Sequence, residues 1–284
     1  MSQPRRARAA RAATVVRTER LTSNLVRVVV GGPGLDDFEA SEFADSYVKV
    51  VFVHPDVPRP FPRTSEGRVA VDLLHDDPAQ SPRMRSYTVR SFDEESRELV
   101  LDFVVHGGDG IAGPWAAGAE PGDEVLLMGP GGAWSPDPSA DFHLFAGDLS
   151  AVPAIAVGLE RLPAHATGQV LVEVHDAADE VPLPAPSGVR VTWLHGGDAR
   201  PSDTLVQAVR DLSWPDGDVA AFVHGEAGAV KQLRHYLRVE RGLSLDRLSI
   251  SGYWRLGVDD EGWRASKREW NAEVERDEAG VTVG

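Results

Sequence analysis

The sequence predicts two folds in series, an antiparallel β barrel or sandwich followed by an α/β domain with a parallel sheet, with a helix closing the chain. Three observations predict this. Up to about residue 130, short β-branched runs are separated by turn residues, and about seven of them read as strands. Beyond residue 140, short apolar strands alternate with stretches of helical spacing, the pattern of βαβ units. The last stretch, Asp259–Ala279, is rich in helix formers and begins acidic, which suits a helix N-terminus.

The elements follow in order. Ala13–Leu21 and Asn24–Gly31 are strands around the turn Thr22-Ser23, and Gly31-Gly32-Pro33-Gly34 breaks the second. Tyr47–Val53 is a strand ahead of a Pro-rich loop at residues 55–62. Val69–Leu74, Arg85–Phe92, Glu98–Val105 and Glu124–Met128 complete the set. In Glu98–Val105, Leu99, Leu101, Phe103 and Val105 share one apolar face. Gly129–Ser139 reads as the linker.

Phe142–Ala146 then opens the second fold, followed by a helix at Ala151–Leu162 and strands at Gln169–Val174 and Val189–Leu194. Ser202–Leu212 is a helix with Ser202 as its expected side-chain cap. After the strand Val219–Val223, the helix Glu226–Arg241 ends at Gly242, the residue of a left-handed C-cap. Leu245–Ser251 is the last strand. On the closing helix, Trp263 and Trp270 lie seven residues apart, and Val274 extends their face. The expected bounds are a disordered basic tail at 1–12, the barrel at 13–135, the α/β domain at 140–256 and a helical extension at 257–284.

The 284 residues include no cysteine, which excludes disulfides, thiolate catalysis and cysteine-held iron–sulfur or zinc sites. A formal charge of −15 opposes nucleic acid as a general partner. Arg5, Arg6, Arg8 and Arg11 are followed by no apolar stretch, so no secretory signal is expected. No stretch approaches the roughly 20 apolar residues of a membrane helix. The expectation is a cytoplasmic monomer without membrane insertion.

Two segments carry chemistry. On the strand Arg85-Ser86-Tyr87-Thr88, Arg85 and Tyr87 share one face and Ser86 and Thr88 the other. Arg85 suits a phosphate, Tyr87 offers a ring for an isoalloxazine, and Thr88 can hydrogen-bond a flavin edge. The alternative is an ordinary strand with exposed arginines. About twenty residues on, the Gly-rich run from His106 to Ala116 lets backbone approach a ligand, and a short helix near Ile111–Ala117 suits a pyrophosphate. Its alternative is a Gly-rich hairpin connection.

Together these segments resemble the siderophore-interacting proteins, flavin reductases of the ferredoxin–NADP reductase superfamily. The resemblance runs from about Val15 to Trp270, through Gly31–Leu35, Tyr47–Lys49, Arg85–Arg90, Asp102–His106, Gly129–Gly132, Gly147-Asp148, Pro153–Ile155, Gly225–Ala227 and Gly252–Arg255. It implies a Greek-key barrel that holds FAD through Arg85, Ser86, Tyr87 and Thr88. Asp102, Val104 and His106 would line the site, with Ala112 and Trp115 near the diphosphate or adenine. The family's Gly-Pro-Ala-Ser is Gly110-Ile111-Ala112-Gly113 here, so backbone amides must replace a hydroxyl.

For the nicotinamide donor, Gly147, Asp148, Ser150, Gly225 and Glu226 lie at strand ends, where parallel sheets bind ligands. Acidic Glu173 and Asp176 at the end of the Gln169 strand favour NADH over NADPH. A ferredoxin is an alternative donor. The resemblance implies a ferric siderophore as acceptor, held by Lys49 and Arg255 with Tyr253 and Trp254 nearby. A third basic position is Gly131 here, which points towards less anionic, hydroxamate-type ligands. The rival classes are a flavin reductase serving a protein acceptor and a non-catalytic siderophore-binding protein.

Overall fold

The computed structural model describes residues 8–75, 77, 80–105, 110–197 and 201–281. The chain forms two compact units, Met1–Ala133 and Trp134–Gly284.

The first unit is an antiparallel barrel. Its strands are β1 (Ala9–Arg20), β2 (Leu25–Gly31), β3 (Tyr47–Phe52), β4 (Val69–Ala70), β5 (Arg83–Asp93), β6 (Glu98–Val104) and β7 (Glu124–Gly131), with the short helix α1 at Ala112–Gly118. Six of them run in the order β2-β6-β5-β3-β7-β1, and β1 pairs back onto β2 to close the ring. The crossings from β2 to β3 and from β6 to β7 skip neighbours, which makes the connection a Greek key. Short β4 adds to the start of β1.

Alternation decides what the barrel encloses. Leu99, Leu101 and Phe103 of β6 are fully buried with Val28, Val48 and Leu127 in one core. At the same register on the other face, Asp102 takes Arg27 in a two-pronged ion pair at 2.7 and 2.9 Å. A second apolar cluster of Val51, Val57, Phe61, Val69, Val71 and Leu74 covers part of the outer wall. The stretch expected as a strand at Val69–Leu74 is two strand residues and then a 3-10 turn at Val71–Leu73, because only Val69 and Ala70 find a partner in β1.

The expected disordered tail at 1–12 is corrected from Ala9 onward. Ala9–Ala12 belong to β1, paired with β4 and β7, and Arg11 donates to Asp37 and to the Gly129 carbonyl. These partners lie far along the chain and give no local signal. Residues 1–7 lie outside the described residues.

The second unit contains β8 (Phe142–Asp148), α2 (Val152–Arg161), β9 (Thr167–Val174), β10 (Gly188–His195), α3 (Asp203–Arg210), β11 (Val219–Glu226), α4 (Ala227–His235), β12 (Leu248–Trp254) and α5 (Asp260–Val281). The five strands are all parallel in the order β10-β9-β8-β11-β12. The order reverses between β8 and β11, so the crevice of this sheet lies at their C-terminal ends. A π turn at Tyr236–Glu240 continues α4, and Gly242 at φ 73° ends it with Leu243 N donating to the Leu237 carbonyl. α5 buries Trp263, Trp270 and Val274 on one face, against Ala227 and Val230 of α4.

The expected Ser202 side-chain cap of α3 is not formed. Ser202 sits at φ 70° and makes no side-chain cap hydrogen bond, and Glu173 of β9 caps in its place.

Candidate functional site

The barrel strand β5 presents the Arg85–Thr88 segment between β3 and β6. Val48 faces Tyr87 and Val50 faces Arg85 across the β3–β5 ladder, so these side chains share the barrel's inner face. The Tyr87 ring is partly buried on Phe103, with centroids 4.0 Å apart, and Phe103 continues to Trp115 of α1 at 5.4 Å. Trp115 in turn meets the edge of Phe52 at 5.8 Å. This line of aromatics gives Tyr87 a rigid backing. Arg85 donates to the Met84 carbonyl at 3.1 Å.

Ser86 and Thr88 project from the opposite face. Lys49 lies directly across from Ser86, and Tyr47 directly across from Thr88. Lys49 is half-buried and has no hydrogen bond or ion pair among the described residues.

An open cleft of about 470 Å³ flanks the same region, lined by Phe52, His54, Phe61, Arg83, Ile111 and Trp115 among others. Arg83 is exposed and has no ion-pair partner among the described residues. It was not singled out from the sequence, although its spacing of two from Arg85 puts both on one strand face. Ala112 is buried at the start of α1, where Gly113 passes close to β6, its Cβ position lying 3.3 Å from the Val104 carbonyl oxygen. A partly buried ring with aromatic backing, cations at strand ends and an open cleft beside α1 fit a flavin nucleotide with its phosphates.

Asp102 and Val104 lie on the outer face of β6, and the Asp102 carboxylate is held by Arg27. His106 lies outside the described residues.

At the crevice of the second unit, Asp148 is half-buried. It accepts hydrogen bonds from Ser150 N at 2.9 Å, Ser150 Oγ at 2.5 Å, Glu226 N at 2.9 Å and Trp254 Nε1 at 2.7 Å. Burial raises its pKa, and these hydrogen bonds oppose the rise. Gly225, at φ 143°, leaves room for the carboxylate, since a Cβ there would lie 2.4 Å from Asp148 Oδ2. Gly147 packs as tightly, its Cβ position 2.7 Å from the His224 carbonyl oxygen. Glu226 caps α4 through Ala229 N at 2.9 Å and accepts Leu256 N at 3.1 Å. The side chains of Asp148, Ser150, Glu226 and Trp254 therefore bind one another and the backbone, tying the ends of β8, β11 and β12.

Glu173 is spent on α3, accepting from Ser202 N and from Leu205 N at 2.8 Å, and burial raises its pKa. Asp176 accepts Ala178 N at 2.8 Å. Of the two acids that pointed to NADH, Glu173 thus caps the distant helix α3 and Asp176 caps the turn at Ala177–Asp179. Tyr253 packs its ring 4.8 Å from that of His224. Arg255 is exposed and has no ion pair among the described residues.

No helix of the described residues is long and apolar enough to cross a membrane.

Comparison with known proteins bears on both units. A family model described as the siderophore-interacting FAD-binding domain matches residues 14–134, and one described as siderophore-interacting protein matches residues 140–257. The chain is 35% identical to the ferric vibriobactin reductase ViuB of Vibrio cholerae, over 89% of this chain and 92% of that protein. It is 31% identical to the NADPH-dependent ferric-chelate reductase of Escherichia coli, over 85% of this chain and 91% of the relative. A crystal structure of a siderophore utilization protein from T. fusca superposes with a TM-score of 0.75 at 37% identity, covering 88% of this chain and 94% of that one.

Proposed function

The chain belongs to the siderophore-interacting protein family, and from that premise we propose that it is a cytoplasmic, monomeric, FAD-dependent reductase that passes electrons from NADH or NADPH to a ferric siderophore. The observation that carries the reading is the half-buried, unneutralised Lys49 ammonium directly across from Ser86 in the flavin segment. A positive charge beside the flavin segment, with no partner among the described residues, suits an anionic iron complex.

In this reading Arg85 and Arg83 meet the FAD phosphates. Tyr87 stacks against the ring with Phe103 and Trp115 behind it. Ser86 and Thr88 hydrogen-bond its edge, and the amides of α1 near Ala112 lie by the diphosphate. Bound FAD supplies the chemistry that neither partner has, taking electrons as a pair and giving them up singly. Lys49 on the barrel draws the ferric complex in by charge, and Arg255 is the exposed cation that the second unit offers for the same role. Once reduced, iron is a softer cation, and hard oxygen arms hold it less tightly, so the siderophore releases it without being cleaved.

The donor is a reduced nicotinamide dinucleotide of either kind, because Glu173 and Asp176 no longer argue for NADH. The strand ends at Gly147, Ser150, Gly225 and Glu226 remain its place in this proposal, through backbone rather than side-chain groups.

The test is anaerobic. Protein reconstituted with FAD is mixed with NADH or NADPH, and then with ferric siderophore and a ferrous chelator. The flavin absorption should bleach with at least one donor, and the ferrous chelate should form at two irons per dinucleotide oxidised. Protein that takes up no FAD, or a flavin that stays oxidised with both donors, would overturn the proposal.

A further inference from the structure

We infer that Asp148 is an electrostatic residue of the donor step, whose fixed negative charge makes the crevice hold the oxidised, cationic nicotinamide ring more tightly than the reduced, neutral one. This rests on the reductase reading above and assigns the charge preference of its donor site to one side chain.

Asp148 ends β8, at the point where the strand order reverses towards β11. A carboxylate has lone-pair room for about four donors. Asp148 has that number in Ser150 N, Ser150 Oγ, Glu226 N and Trp254 Nε1. Ser150 N, Glu226 N and Trp254 Nε1 are N–H groups that cannot accept a hydrogen bond in return. Burial raises the Asp148 pKa, and this shell pulls the other way by favouring the ionised carboxylate.

No cation answers that charge among the described residues. Arg255 follows Trp254 directly and makes no ion pair with it. Glu173 stands beside Asp148 in the β8–β9 ladder, and Glu226 closes β11, each held by backbone amides alone. Like charges side by side repel. Burial raises the Glu173 pKa, and the Asp148 charge adds to the rise. Elsewhere in the same unit acids are paired, Glu240 with Arg210, Glu273 with Lys231, and Asp137 and Asp218 with Arg247. The uncompensated anions stand at the crevice end of the sheet.

The filled shell selects the cation. Asp148 has no lone pair left for a metal ion or for the N–H of a charged side chain, so it acts through space. A nicotinamide ring asks for nothing more, because its ring nitrogen carries the sugar and has no hydrogen. When hydride leaves for the flavin, the ring carbon–hydrogen bond breaks with both its electrons, the ring becomes a cation and no proton is released. An anion already fixed at the crevice is worth more after that transfer than before it. Its repulsion of the dinucleotide phosphates is common to both redox forms, so the preference lies in the ring.

The experiment reads binding without turnover. The FAD-loaded full chain is titrated by calorimetry with oxidised NAD and NADP and with their tetrahydronicotinamide analogues, whose neutral rings cannot give up hydride. In the parent, at least one oxidised dinucleotide should bind about ten-fold more tightly than its neutral analogue. Asp148→Asn should bring that ratio close to one. Asp148→Ser is a second neutral variant, small enough for the space beside Gly225. A merely structural Asp148 would weaken both forms by one factor and leave the ratio alone. Trp254→Phe removes one donor and keeps the charge, so it should preserve the ratio. Glu240→Gln removes a charge paired with Arg210 and should preserve it too.

Equal affinities in the parent, or an unchanged ratio in the neutral Asp148 variants, would overturn the inference and leave the reductase reading standing. The same drop in Glu240→Gln would also overturn it, since the charge of the whole chain would then be the cause. If the parent binds no dinucleotide in either form, the donor half of the reductase reading falls and the role of Asp148 with it.

Discussion

The Glu173 carboxylate accepts the amide hydrogen of Leu205 at 2.8 Å, capping a helix that begins some thirty residues further along the chain. Its second oxygen takes Ser202 N, where the backbone turns through a left-handed conformation. Removing the carboxylate leaves buried amides without an acceptor. Glu173→Ala should lower stability by about 2 kcal/mol. Urea unfolding should show this as a lower midpoint at unchanged slope. The ratio of NADH to NADPH oxidation rates should stay the same, since Glu173 faces α3. A changed ratio would return Glu173 to the dinucleotide.

Lys49 is the most direct test of the acceptor site. Lys49→Gln should raise KM for an anionic ferric chelate about ten-fold, near 1.4 kcal/mol, with FAD content unchanged. Reduction of the flavin by the nicotinamide donor should also be unchanged. Added salt should raise KM in the parent protein and much less in the variant, because the ammonium's attraction is screened. Equal salt slopes would remove Lys49 from the acceptor site.

The contrast between these two residues shows what the sequence could reveal. Period-2 alternation marked Leu99, Leu101 and Phe103 as one face, and all three are fully buried in the barrel. The seven-residue spacing of Trp263 and Trp270, and Gly242 as a helix end, were equally local signals and hold in the structure. The α3 cap was misread as Ser202 because its true partner is 32 residues away. Asp148 looked like a ligand-facing residue at a strand end. Only the ends of β11 and β12 reveal that its oxygens are already taken. Gly131 showed an absent charge, while the ring filling its space comes from β3. Periodicity reports a residue's own face, whereas the occupancy of a side chain depends on distant strands.

His224 makes a pH prediction. It is buried between Phe222 and Tyr253, and burial, with Lys267 nearby, depresses its pKa from 6.5 to about 3. The folded state therefore holds the neutral ring where the unfolded chain would bind a proton. The stability this represents is complete above about pH 6.5 and is lost as pH falls towards the folded value. Between about pH 6 and pH 4, the parent should lose about 1.4 kcal/mol per pH unit more than His224→Phe. Denaturant unfolding across that range would measure the difference, and parallel curves would mean that His224 titrates normally.

Trp263 decides what the closing helix does. It is 2% exposed, meets Trp270 edge-on at 5.4 Å and lies against Gly252 of β12, whose Cβ position is 3.0 Å from its ring. Lys267 sits 5.7 Å over the same ring and donates to the Gly252 carbonyl at 2.8 Å. This packing makes α5 part of the second unit's core rather than a mobile cover. Trp263→Ala should accordingly cost about 3–5 kcal/mol and make α5 the first segment to exchange its amide hydrogens. FAD absorption should persist at temperatures below the unfolding transition. Loss of FAD with stability intact would mean that α5 acts on the cofactor instead, because a core residue of this size cannot be removed without a stability cost.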